Sequence, residues 1–551
     1  MNGPLIIQSD HTIMLEVEHP QYVESRDLLT LFAELVKSPQ FIHTYRVTPL
    51  SLWNAAALEI PIEEIIEGLK RFAKYHVPSN VLVNIREWHQ LYGKLILQKT
   101  LSPEHLLLKV FDPIILERIL HDKSLQKYWL EQTDEGVLVA AGERGNVKHA
   151  LIKAGYPVKD LCGYLSGKFL DINLRDIDID GNRFRLRDYQ AEAVETFYRA
   201  GRASGGSGVI VLPCGSGKTI IGLGVMASIS NYTLIVTTNN VSVRQWHDEI
   251  LAKTTVKAED IGQYTGIRKE LKPITITTYQ MLTYRRTKTD LLQNLEIFTK
   301  YNWGLIIYDE VHLLPAPIFR ATTDIQVKRR LGLTATLVRE DKKEDDVFAL
   351  IGPKRYDVPW KVLEAKGYIA EAFCTEYRIP LSEEDEITYA YATKRQKFRI
   401  AAENSRKIEL VKELISNHSD DSILVIGQYL AQLRQIANSL ELPLITGKTK
   451  YADRQVLYEQ FKKGEIKVLA VSKVANFAVD LPDANVMIQI SGTFGSRQEE
   501  AQRLGRLLRP KKRRSHFYTI VSKGTREQEF GVKRQLFLIE QGYKYRIRYF
   551  E

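Results

Sequence analysis

The sequence predicts an α/β protein in which two small α+β modules precede two parallel-sheet domains in tandem. Two stretches of the chain carry this expectation, and a third feature bounds it. From Arg185 to about Lys366, short apolar strands (208–213, 233–238, 274–279, 304–309 and 329–336) alternate with helical stretches. The alternation resumes at 422–427, 443–447, 466–472 and 484–490. Strand and helix in turn imply parallel βαβ units with helices on both sheet faces. Upstream of Arg185 the strand-like and helical segments are mixed and short, which suits small modules.

Taken in order, residues 1–90 contain strand-like Leu5–Gln8 and Thr12–Val17 and amphipathic helical stretches Ser25–Val36 and Ile62–Tyr75. Residues 92–165 open with strand-like Lys94–Leu101 and continue through helical Asp112–His121, alternating Gly136–Ala140 and helical Asn146–Gly155. Residues 166–184 read as a linker, whose segment Asp171–Arg183 is extended and ends in an Asp-Gly-Asn turn. The two α/β domains then span 185–370 and 371–551, with a charged helical stretch, Glu383–Leu414, near the start of the second. The basic run Arg509–Arg514 reads as a solvated loop.

With 551 residues the chain has room for three or four domains, each with its own core. Its 44% hydrophobic and 26% charged content is that of a globular protein, and no window approaches the roughly 18 apolar residues of a membrane span. The first residues show no basic segment followed by an apolar one, so no signal peptide is expected and the expected location is the cytoplasm, at the nucleoid in a prokaryote. Three cysteines, Cys162, Cys214 and Cys374, are too few for a disulfide framework or a structural zinc site. A net charge of +10 favours polyanions as partners, although solubility alone accounts for it equally well.

Pro213–Thr219 (PCGSGKT) follows an apolar strand and opens a helical stretch, Thr219–Ile229, the context that makes a phosphate loop credible. The backbone around Pro213, Cys214, Gly215, Ser216 and Gly217 can wrap phosphate oxygens at a helix N-terminus. Lys218 then reaches the β and γ phosphates of ATP, and the Thr219 hydroxyl ligates Mg²⁺. Asp309–His312 (DEVH) follows another apolar strand, placing Asp309 at a strand's carboxyl end as a second Mg²⁺ holder and Glu310 as the base for the attacking water. Thr334 and Thr336, in the stretch TAT after a further strand, can relay nucleotide state to His312. Upstream, LRDYQ (186–190) offers Arg187 and Gln190, and a bidentate amide such as Gln190 can read an adenine edge.

In the second half, QRLGRLLR (502–509) presents Gln502, Arg506 and Arg509. Arginines supplied across a cleft stabilise the charge of a transferring phosphoryl group by about 10³–10⁵ in rate. Thr238 and Thr278, together with Gly447–Lys448, follow strands where small donors suit contacts to a nucleic-acid backbone without reading its sequence.

In order and spacing these motifs resemble those of superfamily-two helicases, whose phosphate loop is likewise of the form P-x-G-S-G-K-T, and DEVH resembles the XPB family in particular. Arg339, Glu340 and Asp341 are similar to that family's RED motif, which the resemblance assigns to DNA opening. SGTFGSRQEEAQRLGRLLRPK (491–511) and EQEFGVKRQLFLIEQGYKYRI (527–547) resemble its last motif and its tail, and YRVTPLSLWNAAA (45–57) its amino-terminal domain. By position, 92–165 corresponds to a damage-recognition domain. Ala390–Ile400, with Lys394, Arg395 and Lys397 interleaved with aromatics, stands where the family has a thumb insertion suited to strand contacts. In SKVANFAVDLP (472–482) Asp480 is retained and falls to the nucleotide site. Ala475, however, replaces the family's usual glycine, which puts DNA-coupled stimulation in question.

The resemblance implies two RecA-like domains, ATP and Mg²⁺ as cofactors, single-stranded and duplex DNA as partners, and 3′-to-5′ unwinding or translocation in excision repair or transcription-linked opening. Three alternatives stand beside it: a double-strand translocase that does not separate strands, a nucleotide-gated DNA clamp or scaffold for a partner such as a nuclease, and RNA in place of DNA.

Overall fold

The computed structural model describes residues 3–37, 41–162, 167–201, 205–213, 215–284, 297, 301–314, 329–335, 347–348, 350–358, 360–472, 484–491, 504–505, 507, 514–540, 543 and 545–550. The chain divides into two compact units, broadly Met1–Asp357 and Val358–Glu551.

The first unit begins with a four-stranded sheet in the order Leu5–Ile7, Thr12–Glu16, Ile42–Arg46, Glu34–Lys37. Helices Tyr22–Phe32, Pro49–Ala57, Ile62–Phe72 and Ser79–Leu91 accompany it. Thr48 starts the second of these with a reciprocal capping box to Ser51, and Pro49 supplies a preset first turn. The helix expected over Ser25–Val36 stops at Phe32, and Glu34–Lys37 leaves as a strand instead. A four-residue run of two apolar residues flanked by charges fits either period, and pairing with the sheet decides it.

A five-stranded sheet follows, in the order Trp129–Thr133, Gly136–Ala140, His105–Val110, Leu95–Lys99, Val158–Asp160. Helices Pro113–His121 and Arg144–Lys153 complete this second module around Leu95, Leu97, Leu108, Ile119, Val139 and Leu151. The segment read as a linker does not hang free. Ile172 is buried, Arg175 Nε donates to the Thr254 carbonyl at 2.7 Å, and the Asp178–Asn182 turn closes on itself.

The rest of the first unit is a seven-stranded sheet, all of its pairs parallel: Ile261–Tyr264, Ile274–Thr278, Thr233–Thr237, Leu305–Asp309, Arg329–Thr334, Ser207–Val211, Lys354–Asp357. Its central strands are buried on both faces, which is why they read as runs of apolar and β-branched residues without charges before their ends. The second unit repeats the plan with Leu444–Ile445, Val468–Ser472, Ile423–Gly427, Val486–Gln489, Ser515–Ser522, Ala372–Ile379, Tyr545–Tyr549, again parallel. These are two tandem RecA-like domains behind two small modules. The stretch Glu383–Leu414 is not one helix but three, Glu383–Tyr391, Lys394–Ala402 and Lys407–Asn417.

Lys407 is fully buried in the second unit and donates to Glu527 at 2.7 Å and to the Ile490 carbonyl at 3.0 Å. Removing one member of such a pair strands a charge in the core. Glu527→Ala is therefore expected to cost the second unit about 3–5 kcal/mol, with much of the loss recovered in the Lys407→Met, Glu527→Leu double variant. Urea unfolding of the three proteins measures it.

Candidate nucleotide site

The site forms where strands of the first parallel sheet end and the backbone turns into loops. Gly217 precedes helix Lys218–Ile229 with φ +80°, in the left-handed region, and a Cβ there would lie 2.6 Å from Gln190 Nε2. The turn requires glycine here, and a side chain would also have to displace the end of Gln190. Gly215 is also left-handed, and Ser216, fully buried, donates its hydroxyl to the Pro213 carbonyl at 2.6 Å. Two left-handed glycines and a tethered serine make a backbone cradle with a lysine at its end. Cys214 lies outside the described residues.

Lys218 Nζ sits 3.1 Å from Glu310 Oε1. Glu310 occupies φ +51° immediately after strand Leu305–Asp309, a strained setting for a side-chain-bearing residue. Its second carboxylate oxygen is buried and has no hydrogen-bond partner among the described residues. Asp309 accepts a hydrogen bond on Oδ2 from Trp246 Nε1 at 3.1 Å, and its carbonyl accepts from the Tyr279 hydroxyl at 3.0 Å. His312 Nδ1 lies 2.7 Å from Thr334 Oγ1 and 3.6 Å from Glu310 Oε2. Geometry therefore brings Lys218, Asp309, Glu310, His312 and Thr334 together. Thr219 stands beside Lys218 in the first turn of the same helix.

Burial dominates the electrostatics, and neighbouring charges split the two carboxylates. Burial first, and then the Glu310 charge, push the Asp309 carboxyl up to about 6. Burial works to raise Glu310 too, but the Lys218 ammonium and then His312 outweigh it and hold that carboxyl below its usual range. A buried acceptor oxygen without a partner, a carboxylate kept ionised beside an ammonium, and a glycine cradle fit the phosphates and metal of a nucleotide.

Gln190 is buried and its side-chain oxygen accepts from the Arg187 backbone N–H at 3.0 Å, while Nε2 lies against Gly217. Thr238 is half-buried and accepts from Asn239 Nδ2 at 3.1 Å. Thr278 is buried, and its hydroxyl caps the turn Tyr279–Leu282 by accepting from Met281 N at 3.1 Å. Lys394 and Arg395 are exposed at the start of helix Lys394–Ala402; Lys397 lies 5.2 Å from the Tyr389 ring centre, and Tyr391 is almost fully exposed. Thr336, Arg339, Glu340, Asp341, Asp480, Gln502, Arg506 and Arg509 lie outside the described residues.

Sequence reasoning passed over Trp246. Its signal was the glycine facing it: a Cβ on Gly222 would lie 2.4 Å from the Trp246 ring, so the bare helix position makes room for the indole that reaches Asp309.

A double parallel-sheet protein with a phosphate loop at one strand end and an Asp-Glu-Val-His turn at another is a helicase-type ATPase. A family model described as ERCC3/RAD25/XPB C-terminal helicase matches residues 363–549. The type III restriction enzyme, res subunit, model matches 183–339, and a helicase conserved C-terminal domain model matches 5–134. The chain is 50% identical over 550 residues to the DNA 3′-5′ helicase XPB of Kineococcus radiotolerans, covering 99% of this chain and 96% of that one. It is 48% identical to the protein of the same name from Mycobacterium tuberculosis, covering 99% and 98%. A relative from Enterocytozoon bieneusi, the general transcription and DNA repair factor IIH helicase/translocase subunit XPB, is 35% identical over 98% of this chain and 92% of its own. The chain belongs to the XPB family of helicases and, with that family, uses ATP.

Gly217→Ala is expected to cost about 1–2 kcal/mol from the left-handed backbone alone, with a further loss from displacing Gln190. Thermal unfolding of the variant against the parent reads both.

Proposed function

We propose that this protein is an ATP-dependent DNA helicase or translocase of 3′-to-5′ polarity that opens or remodels duplex DNA in excision repair or transcription-linked opening. The observation that carries the reading is the half-buried Glu310 carboxylate, kept ionised by Lys218, whose buried Oε2 has no hydrogen-bond partner among the described residues. Identity near 50% over the whole chain to two bacterial proteins named for this polarity supports it.

In this reading Lys218 binds the β and γ phosphates and Glu310 orients the attacking water and takes its proton. The backbone of 213–217 cradles the phosphates, and Arg187 and Gln190 flank the base. Thr219 and Asp309 would hold Mg²⁺, which when bound neutralises charge developing on the phosphate oxygens. His312 and Thr334, already hydrogen-bonded, pass the state of Glu310 to the neighbouring strand end. Asp480, Gln502, Arg506 and Arg509 complete the site from the second domain, and Thr336 continues the relay from Thr334. Arg339, Glu340, Asp341, Thr238, Thr278, Lys394, Arg395 and Lys397 contact DNA, and Thr278 also caps its loop. Residues 1–90 and 92–165 serve as the amino-terminal and damage-recognition domains, and a repair, transcription or nuclease partner engages the protein in the cell.

Steady-state ATP hydrolysis, with and without single-stranded DNA, duplex DNA and RNA, tests the reading. Stimulation by DNA is expected, lost in Lys218→Ala. Glu310→Gln should lower kcat about 10²–10⁴-fold with nucleotide affinity largely retained. Equal stimulation by RNA, or a Glu310→Gln protein that turns over normally, would overturn it.

Asp309 supplies a pH signature. A carboxyl raised to about 6 is protonated below that pH and cannot hold a cation there. Mn²⁺ affinity in the nucleotide complex, followed by electron paramagnetic resonance, should be flat above pH 7 and fall toward tenfold per unit below 6. Asp309→Asn should remove the dependence.

A further inference from the structure

Asp309 is gripped from two sides by rings that lie outside both the phosphate loop and the Asp-Glu-Val-His turn. Trp246 Nε1 donates to its Oδ2 at 3.1 Å, and the Tyr279 hydroxyl donates to its backbone carbonyl at 3.0 Å. Both side chains are buried, Trp246 1% and Tyr279 5% exposed. A buried indole N–H needs an acceptor, and any backbone carbonyl would satisfy it. Trp246 instead directs its donor to a carboxylate placed to hold a cation.

Each ring is anchored to one of the loops proposed for DNA contact. Thr238 and Asn239 follow strand Thr233–Thr237. The Asn239 side chain donates to Thr238 Oγ1 at 3.1 Å and caps helix Asn240–Lys253, accepting from Val241 N at 2.9 Å and Ser242 N at 3.0 Å. Trp246 stands on that helix. Thr278 ends strand Ile274–Thr278, and its hydroxyl caps the turn that opens with Tyr279. The two loops are joined in their turn, because their strands pair in parallel and the Thr237 hydroxyl donates to the Thr277 carbonyl at 3.2 Å.

A carboxylate with one oxygen fixed by a donor keeps the other turned toward a cation, and losing such a partner typically changes metal affinity about 10–100-fold. The Tyr279 hydroxyl acts one step back, at the carbonyl where the strand passes into the left-handed Glu310. We propose that Trp246 and Tyr279 are positioning residues that tie these two loops to Asp309, so that a nucleic-acid strand held by the loops tightens cation binding at the nucleotide site. What the loops hold rests on the helicase reading; the grip on Asp309 stands apart from it.

The test uses the full chain and its Trp246→Phe and Tyr279→Phe variants with a non-hydrolysable ATP analogue. Mn²⁺ affinity is read by electron paramagnetic resonance near pH 8, with and without oligothymidylate. Without DNA, Trp246→Phe should weaken Mn²⁺ about tenfold, and Tyr279→Phe about threefold. Oligothymidylate should tighten Mn²⁺ about threefold in the parent. By linkage, Mn²⁺ with the analogue should tighten oligothymidylate by the same factor, measured by fluorescence anisotropy. Both variants should lose that factor.

Parent-like Mn²⁺ affinity in both variants overturns the grip. A factor that survives in both variants, or is missing from a parent whose hydrolysis DNA stimulates, overturns the coupling. Tyr279→Phe removes one oxygen and keeps the ring, so it decides the matter if circular dichroism shows that Trp246→Phe does not fold. A parent without DNA-stimulated hydrolysis sinks the helicase reading instead, and the affinities measured without DNA still decide the grip.

Discussion

The contact between Lys218 and Glu310 is the interaction on which the first motor domain depends. Two carboxylates stand side by side at the end of strand Leu305–Asp309, both half-buried, and such a pair ionises together only with a cation close by. Lys218 is that cation. It reaches them because a parallel sheet gathers the carboxyl ends of its strands on one edge, so the loop after Ser207–Val211 and the turn after Leu305–Asp309 open side by side with only Arg329–Thr334 between them. The glycine before Lys218 and the left-handed backbone of Glu310 are local costs that this arrangement imposes.

Asymmetry between the carboxylates follows from what each one faces. Glu310 has Lys218 and His312; Asp309 has an indole N–H and the charge of its neighbour. Adjacent acids with pKa values driven in opposite directions are suited to different tasks, one ready to accept a proton, the other ready to exchange its proton for a cation. Trp246 makes this possible from a distance in sequence. Its ring packs on Gly222 in the helix that follows the phosphate loop, so the same helix that carries Lys218 also fixes the group that hydrogen-bonds to Asp309.

Central strands were legible in the sequence because burial on both faces leaves no polar interruption. Thr233–Thr237 and Leu305–Asp309 fall within a residue of their expected bounds. Two edge strands, Lys354–Asp357 and Tyr545–Tyr549, were not: they carry charges and aromatics without a run of aliphatics, and only pairing with a neighbour makes them strands. The same holds for the site. Motif residues adjacent in sequence, such as Asp309 and Glu310, could be read directly, and His312 with Thr334 followed from strand ends. Trp246 and the Tyr279 hydroxyl reach Asp309 through tertiary packing that no local pattern announces. Thr278 carries a role that no local pattern announced: besides following a strand, its hydroxyl caps the next turn.

The edge strand Lys354–Asp357 also explains how the small modules relate to the nucleotide site. It pairs with Ser207–Val211, the strand that runs into the phosphate loop. The first module hydrogen-bonds to its start, with Lys354 N donating to Asn54 Oδ1 at 3.3 Å, and Trp53, Ile152 and Phe348 form a shared apolar cluster just before it. Arg355 continues inward to the carbonyl of Ser207. This strand thus lies between parts of both small modules and the strand that feeds the loop. That pairing shifts register between Val209 and Ile210, so it is the least regular one in the sheet. The modules therefore meet the sheet at its least regular pairing, away from the centre, where strands held on both faces are packed most tightly.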